Sequence, residues 1–246
     1  MGYDPDMKPI IAAALLLMAA APVPSAVEIK RNSKALEFSS SWPAEAAAIP
    51  ALNRRFRTAM EDAWREARAI VVGEQKLTRQ QKRPFNPQFY SMTWSTAGQT
   101  KRLLSLQSVL ATFTGGAHPN TSYGALLWDR ALGRQVTPDS LFAKAGALQA
   151  ATRTAFCADL DVERLKRRQG EKLDGEFGQC PKYSDLEISP ADGDKDGSFD
   201  KLEFVASPYV AGPYVEGEYE VSLPVTPALI AALKPAYRAS FEAQRQ

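Results

Sequence analysis

Between Pro50 and Val71, the apolar residues Leu52, Phe56, Ala59, Met60, Ala63, Ala67 and Ile70 recur at three- and four-residue spacing. Arg54, Arg57, Asp62, Arg65 and Arg68 occupy the other side, so the pattern predicts an amphipathic helix covering something apolar. The period then changes to two: Tyr90, Met92 and Trp94 alternate with Ser91, Thr93 and Ser95, predicting a strand that Gly98 turns into a second through Leu104, Leu106 and Leu110. A third strand is expected over Tyr123 to Arg130, with a turn at Leu132-Gly133 and a short return from Val136. Thr137-Pro138 resembles a helix cap followed by proline at the first helical position, opening a helix through Leu148, Thr152, Ala155 and Phe156 to Cys157. Leu186 and Ile188, then Leu202, Phe204 and Ala206, then Tyr219, Val221 and Leu223 predict three further strands. Thr226-Pro227 repeats the capping signal before Leu229, Ile230 and Leu233. The expected fold class is α+β, a mainly antiparallel sheet packed against the N-terminal amphipathic helix and a second helix clipped by a disulfide, without the βαβ rhythm of a nucleotide-binding fold.

The apolar run from Ile10 to Ala21, after Met7-Lys8 and before Pro22, Pro24, Ser25 and Ala26, reads as a signal peptide over residues 1–26, with Met7 as its expected start and cleavage after Ala26. It is too short to span a bilayer. About 220 residues follow, enough for one large domain with a sizeable core. Export predicts a periplasmic or secreted protein, and in an oxidising compartment Cys157 and Cys180 are expected to pair. Their bridge closes a polar stretch holding Glu163, Arg164, Lys166, Arg167 and Arg168, and chain entropy assigns such a closure about 3 kcal/mol. A formal charge of +2 is near neutral. Lys76, Arg79, Lys82 and Arg83 cluster without interleaved aromatics, so a solvated loop rather than a nucleic-acid surface is expected.

The chemistry left to explain is narrow. His118, the one histidine, lies in FTGGAHPN, residues 113–120. A Ser-His-Asp triad would depend on it, but no G-x-S-x-G elbow occurs, and a two-histidine metal centre cannot be assembled. Gly115 and Gly116 allow positive φ, and Pro119 biases His118 towards extended backbone. Two readings stay open: a shaped loop that presents itself to a ligand, and a structural connection whose imidazole bonds near Tyr209 or Tyr214. Those tyrosines belong to SPYVAGPYVEG, residues 207–217, a rigid loop whose aromatics serve as binding anchors or as ordinary packing. A separate motif is DGDKDGSFDKLE, where Asp192, Asp194, Asp196, Ser198, Asp200 and Glu203 fall at the ligand positions of a calcium loop and Gly197 at its turn. Pro190 before it and a strand after it depart from an EF-hand, so a bound calcium and a solvated acidic hairpin are both open.

FTGGAHPN at the end of a strand, the turn from Thr137 to Phe142, and SPYVAGPYVEG before Val221, Leu223 and Pro224 form an ordered set. Together they resemble the extracytoplasmic domain shared by RsiV-type anti-sigma factors and PdaC-type peptidoglycan deacetylases. The resemblance divides the domain into residues 27–111, the helix with its strands, and residues 112–246, the signature half. In that family the domain is a sensing or accessory module: the anti-sigma factor's binds lysozyme, and the deacetylase's precedes a separate catalytic domain. Neither a sigma-binding region nor a deacetylase domain is found in these 246 residues. The resemblance implies an exported, non-enzymatic binding domain at the cell envelope, with a lysozyme-like protein or a peptidoglycan fragment as partner. Its binding residues are expected at Gly115, Gly116, His118, Asn120, Tyr209 and Tyr214. A calcium-binding envelope protein using Asp192 to Glu203 is the alternative, and a cell-wall hydrolase the last.

Overall fold

The structure is a computed structural model that describes residues 25–244; the predicted signal peptide lies almost wholly outside them. Two strands precede the long helix, β1 (Val27–Asn32) and β2 (Leu36–Trp42), paired antiparallel. Sequence reading missed both. The apolar positions Leu36, Phe38 and Trp42 of β2 do alternate, but Ser40 takes the fourth buried place and hides the period.

After a single turn, α1 (Ala44–Ala47), comes α2 (Pro50–Gln80), which buries Leu52, Phe56, Met60, Ala67 and Val71 along one stripe. It starts at Pro50, as predicted, and runs nine residues past Val71. Val72 and Gly73 break the apolar period there, yet Gln75 and Thr78 carry the turn on, Thr78 buried with its hydroxyl on the Gln75 carbonyl. The helix leads to β3 (Gln88–Gln99), which pairs parallel with β2. One βαβ crossover therefore exists, contrary to the expected absence of that rhythm, because a parallel neighbour needs a long connection and α2 supplies it.

The sheet continues antiparallel through β4 (Leu103–Phe113), β5 (Asn120–Asp129) and β6 (Arg134–Val136). Gly98 is not the predicted turn. It sits inside β3 at a register shift, where a Cβ would come within 2.8 Å of the Asp192 backbone nitrogen. The turn itself is at Thr100–Arg102, where the Thr100 hydroxyl accepts from the amides of Arg102 and Leu103.

Thr137-Pro138 opens only a short 3-10 turn, Pro138–Leu141, rather than the predicted helix. The helix α3 (Ala147–Arg167) begins after Gly146, whose φ of 73° breaks the chain direction, and passes Cys157 by ten residues. The first part of the supposed polar loop is thus helical, with Leu160 and Arg164 buried. Cys157 and Cys180 form the predicted disulfide, with Cα atoms 5.5 Å apart.

A second sheet, β7 (Glu187–Ala191), β8 (Lys201–Ala206) and β9 (Tyr219–Pro224), is antiparallel throughout. Then come α4 (Pro227–Ala232), capped by the Thr226 hydroxyl accepting from the Leu229 amide at 3.2 Å, and α5 (Pro235–Arg238).

Successive side chains point to opposite faces of a strand, and both faces of the first sheet are covered. Leu104, Leu106, Leu126 and Trp128 pack with Phe38, Trp42 and the apolar stripe of α2. Leu103, Leu127 and Val136 pack instead with Phe156, Leu160, Phe204 and Tyr219 of α3 and the second sheet. Three layers result, α2, the first sheet, and the second sheet with α3. The mainly antiparallel α+β class, with its two helices and disulfide, is the one expected. Among the described residues no helix is long and apolar enough to cross a membrane.

Candidate functional site

The GGAHPN segment links β4 to β5. Gly115 adopts a φ of 90°, closed to most side chains, and the Gln88 side-chain Nε2 donates to the Thr114 carbonyl at 3.1 Å. Gly116 does not use the left-handed region. His118 is exposed, and its Nδ1 lies 2.8 Å from the Pro119 carbonyl oxygen, so the imidazole must be the donor. The Tyr214 hydroxyl donates to that same carbonyl. The two rings stack, centroids 4.0 Å apart and planes 28° from parallel, and Tyr209 packs on Tyr214 at 5.7 Å. Tyr209 holds a φ of 73°, and its amide donates to the Gly212 carbonyl at 3.1 Å. His118 therefore meets the loop of Tyr209 and Tyr214, which lie 91 and 96 residues further along the chain. Asn120 is exposed at the start of β5, paired with Thr112.

What fixes the 207–217 loop was not visible in the sequence. Phe156, Leu160 and Arg164 follow one another at four-residue spacing on α3, so Arg164 extends a buried apolar face. Its guanidinium donates to the carbonyls of Ala211 and Gln179, each at 2.9 Å. Arg168 makes a two-pronged contact with Glu216, 2.9 Å on each side, and the Tyr219 hydroxyl also donates to Glu216. Arg167 lies 4.1 Å over the Tyr219 ring and donates to the Glu216 and Glu218 carbonyls. The hydrogen bonds from Arg168 outweigh burial and hold the Glu216 carboxyl below its usual range. Burial, then Glu216, pushes the Tyr219 phenol up. Burial and then Glu218 do the same to Tyr123 on β5, whose amide donates to the Ser207 hydroxyl. The aromatic loop is thus clamped from α3 while Tyr209 and Val215 stay outward, 57% and 90% exposed. The available signal was the spacing of Arg164, Arg167 and Arg168 on a helix that sequence reading ended too early.

The acidic loop joins β7 to β8. Asp192 accepts from the amides of Lys195, Asp196 and Gly197, and the carboxylate oxygens of Asp192, Asp194 and Asp196 lie within 4.8 Å of one another. The Ser198 amide donates to Asp196 at 3.0 Å, while Asp200 is buried and accepts from the Gly193 amide at 2.7 Å. Glu203 lies on β8, where it pairs with Lys201 at 3.0 Å and accepts from Gln107. Three of the predicted ligands converge, and Asp200 and Glu203 are engaged elsewhere.

Residues 29–121 match the family model described as Deacetylase PdaC. The resemblance to a PdaC-type domain holds. The matched stretch runs from β1 to the start of β5, so it includes GGAHPN and stops before the second sheet. Two solved structures share the fold over nearly the whole chain. A DUF3298 family protein from Pseudomonas aeruginosa PAO1 is 15% identical with a TM-score of 0.54, covering 91% of this chain and 99% of that one. A DUF3298 family member from Bacteroides fragilis NCTC 9343 is 14% identical with a TM-score of 0.53, covering 88% and 96%. No curated protein matches the chain. The fold is that of the DUF3298 structures, and residues 29–121 are similar to the PdaC-type domain.

Proposed function

We propose that this protein is a non-catalytic binding domain of the cell envelope, working outside the cytoplasmic membrane, and that its recognition surface is the ridge of His118, Tyr209 and Tyr214 together with Gly115, Gly116 and Asn120. The observation that carries the reading is the exposed stack of His118 on Tyr214, tied to one shared carbonyl. Pre-ordered aromatic rings lose little entropy on binding and make strong contact anchors. The partner class is a lysozyme-like protein or a soluble peptidoglycan fragment, as the family resemblance implies. Calorimetric titration of the mature chain against lysozyme and muropeptides is expected to give binding to one of them, weakened at least tenfold, about 1.4 kcal/mol, by Tyr214→Ala. No heat with any of these ligands sinks the proposal.

The convergence of Asp192, Asp194 and Asp196 favours a second reading, in which calcium orders the β7–β8 loop. A weak extracellular-type site filled to roughly 10–100 times its dissociation constant would raise the melting temperature by about 3–10 °C. An unchanged melt with millimolar calcium at matched ionic strength would end this reading.

A further inference from the structure

The positive charge of the molecule is concentrated in the N-terminal part of the described chain. Residues 27–83, which form β1, β2, α1 and α2, hold twelve lysines and arginines against seven acidic residues, whereas residues 84–246 carry a net charge of −2. Arg54, Arg68, Lys76, Arg79 and Lys82 are exposed, and none forms an ion pair among the described residues. Midway along α2, Trp64 is bracketed by two guanidiniums, Arg31 at 5.4 Å and Arg68 at 5.6 Å from its ring. Arg31 is already answered by Glu61, with one contact at 2.8 Å. Arg68 has no carboxylate partner and no hydrogen bond among the described residues.

Beside this pair a groove of 450 Å³ opens between the β1–β2 turn and α2. Its aliphatic lining is Leu36 and Val71, both buried, and Val72, which is 64% exposed at the groove's edge. An uncommitted cation, an indole and an aliphatic lining at one place, under a surplus of five positive charges, call for a partner that is anionic at its surface and apolar just beneath. A soluble polyanion leaves the lining without a use, and an apolar peptide leaves the charge without one. A bilayer bearing anionic lipid offers both within a few ångströms, and indole rings and arginines settle at that boundary.

We propose that this face docks on an anionic bilayer, with a headgroup phosphate at Arg68, Trp64 at the interface, and the aliphatic lining against the upper acyl carbons. The inference is independent of the ridge at His118. The test is flotation of the full chain with vesicles of phosphatidylcholine alone and of phosphatidylcholine mixed equally with phosphatidylglycerol. Binding is expected only to the mixed vesicles, and to fall as salt is raised. Each cation at such a surface contributes roughly fivefold in affinity, so Arg68→Glu, a change of two charges, should weaken binding about 25-fold. Lys144→Glu, an equal change on an exposed lysine outside residues 27–83, should leave binding as it is. Val72→Asp repeats the test from the apolar side, and a thermal melt verifies that each variant is folded. Failure to bind, equal binding to both vesicles, or equal loss with Lys144→Glu overturns the proposal. So does displacement by inorganic phosphate at the lipid's concentration, which would assign Arg68 to a free anion.

Discussion

Replacing Asp129 by alanine is expected to lower the stability of the fold by about 3–5 kcal/mol, because it removes a buried carboxylate and strands the groups that surround it. Asp129 ends β5 fully enclosed. It accepts from Arg102 through two nitrogens at 3.0 and 2.9 Å, from the Tyr237 hydroxyl at 3.1 Å, and from the amides of Ala131 and Leu132 at 2.9 and 3.1 Å. Arg102 in turn donates to the Ala236 carbonyl at 3.0 Å and covers the Tyr237 ring at 4.2 Å. One carboxylate thereby ties the β3–β4 and β5–β6 turns to α5. Burial alone would raise its pKa, but Arg102, then Leu132, Tyr237 and Ala131, outweigh it and hold the group below the usual carboxylate range. A depressed folded value means that this stabilisation is fully present above the unfolded value, about pH 4, and is lost as pH falls through the folded one. Denaturant unfolding of the two proteins should show the full gap at neutral pH and a narrowing gap in acid. A gap that holds constant from pH 7 to pH 3 would contradict the assignment.

Most elements announce themselves where side-chain burial follows a regular period. β9 alternates buried and exposed without interruption, and Thr226-Pro227 caps α4 by the expected hydrogen bond, because in both cases neighbours along the chain settle the matter. Where a distant contact decides, the local pattern misleads. Gly98 looks like a turn, yet its missing side chain admits the Asp192 backbone, a contact made across more than ninety residues. Thr137-Pro138 looks like the cap of α3, but Gly146 ends that continuity and the helix begins afresh. The pairing of β2 with β3 depends on α2 crossing between them, which no periodicity reports. For the candidate site, the aromatic and glycine residues are conspicuous in the sequence, and the stack of His118 on Tyr214 could be anticipated only as nearness. The clamp beneath it could not, since arginines followed by a disulfide loop resemble a solvated surface until Phe156 and Leu160 show which way α3 faces.

That clamp gives the second large expectation. Arg164→Ala should cost about 2–3 kcal/mol, because the buried Ala211 carbonyl loses its 2.9 Å donor and keeps only the longer contact from Arg168 at 3.4 Å, while the Gln179 carbonyl loses its 2.9 Å donor as well. The arginine belongs to the same assembly as the disulfide, since Gln179 precedes Cys180 and its carbonyl reaches Arg164 only while that segment is pinned to α3. Replacing both cysteines by alanine should itself cost about 3 kcal/mol. If the two act as one unit, a variant lacking both the arginine and the disulfide will lose less than the sum, by at least about 0.5 kcal/mol. Strict additivity would mean that the bridge restrains the unfolded chain alone and leaves the clamp intact. The two single variants should also differ at the surface. Arg164→Ala frees the Ala211 end of the 207–217 loop directly, so it should speed proteolytic nicking there and loosen the Tyr214 stack. Loss of the bridge should expose residues 168–180 first.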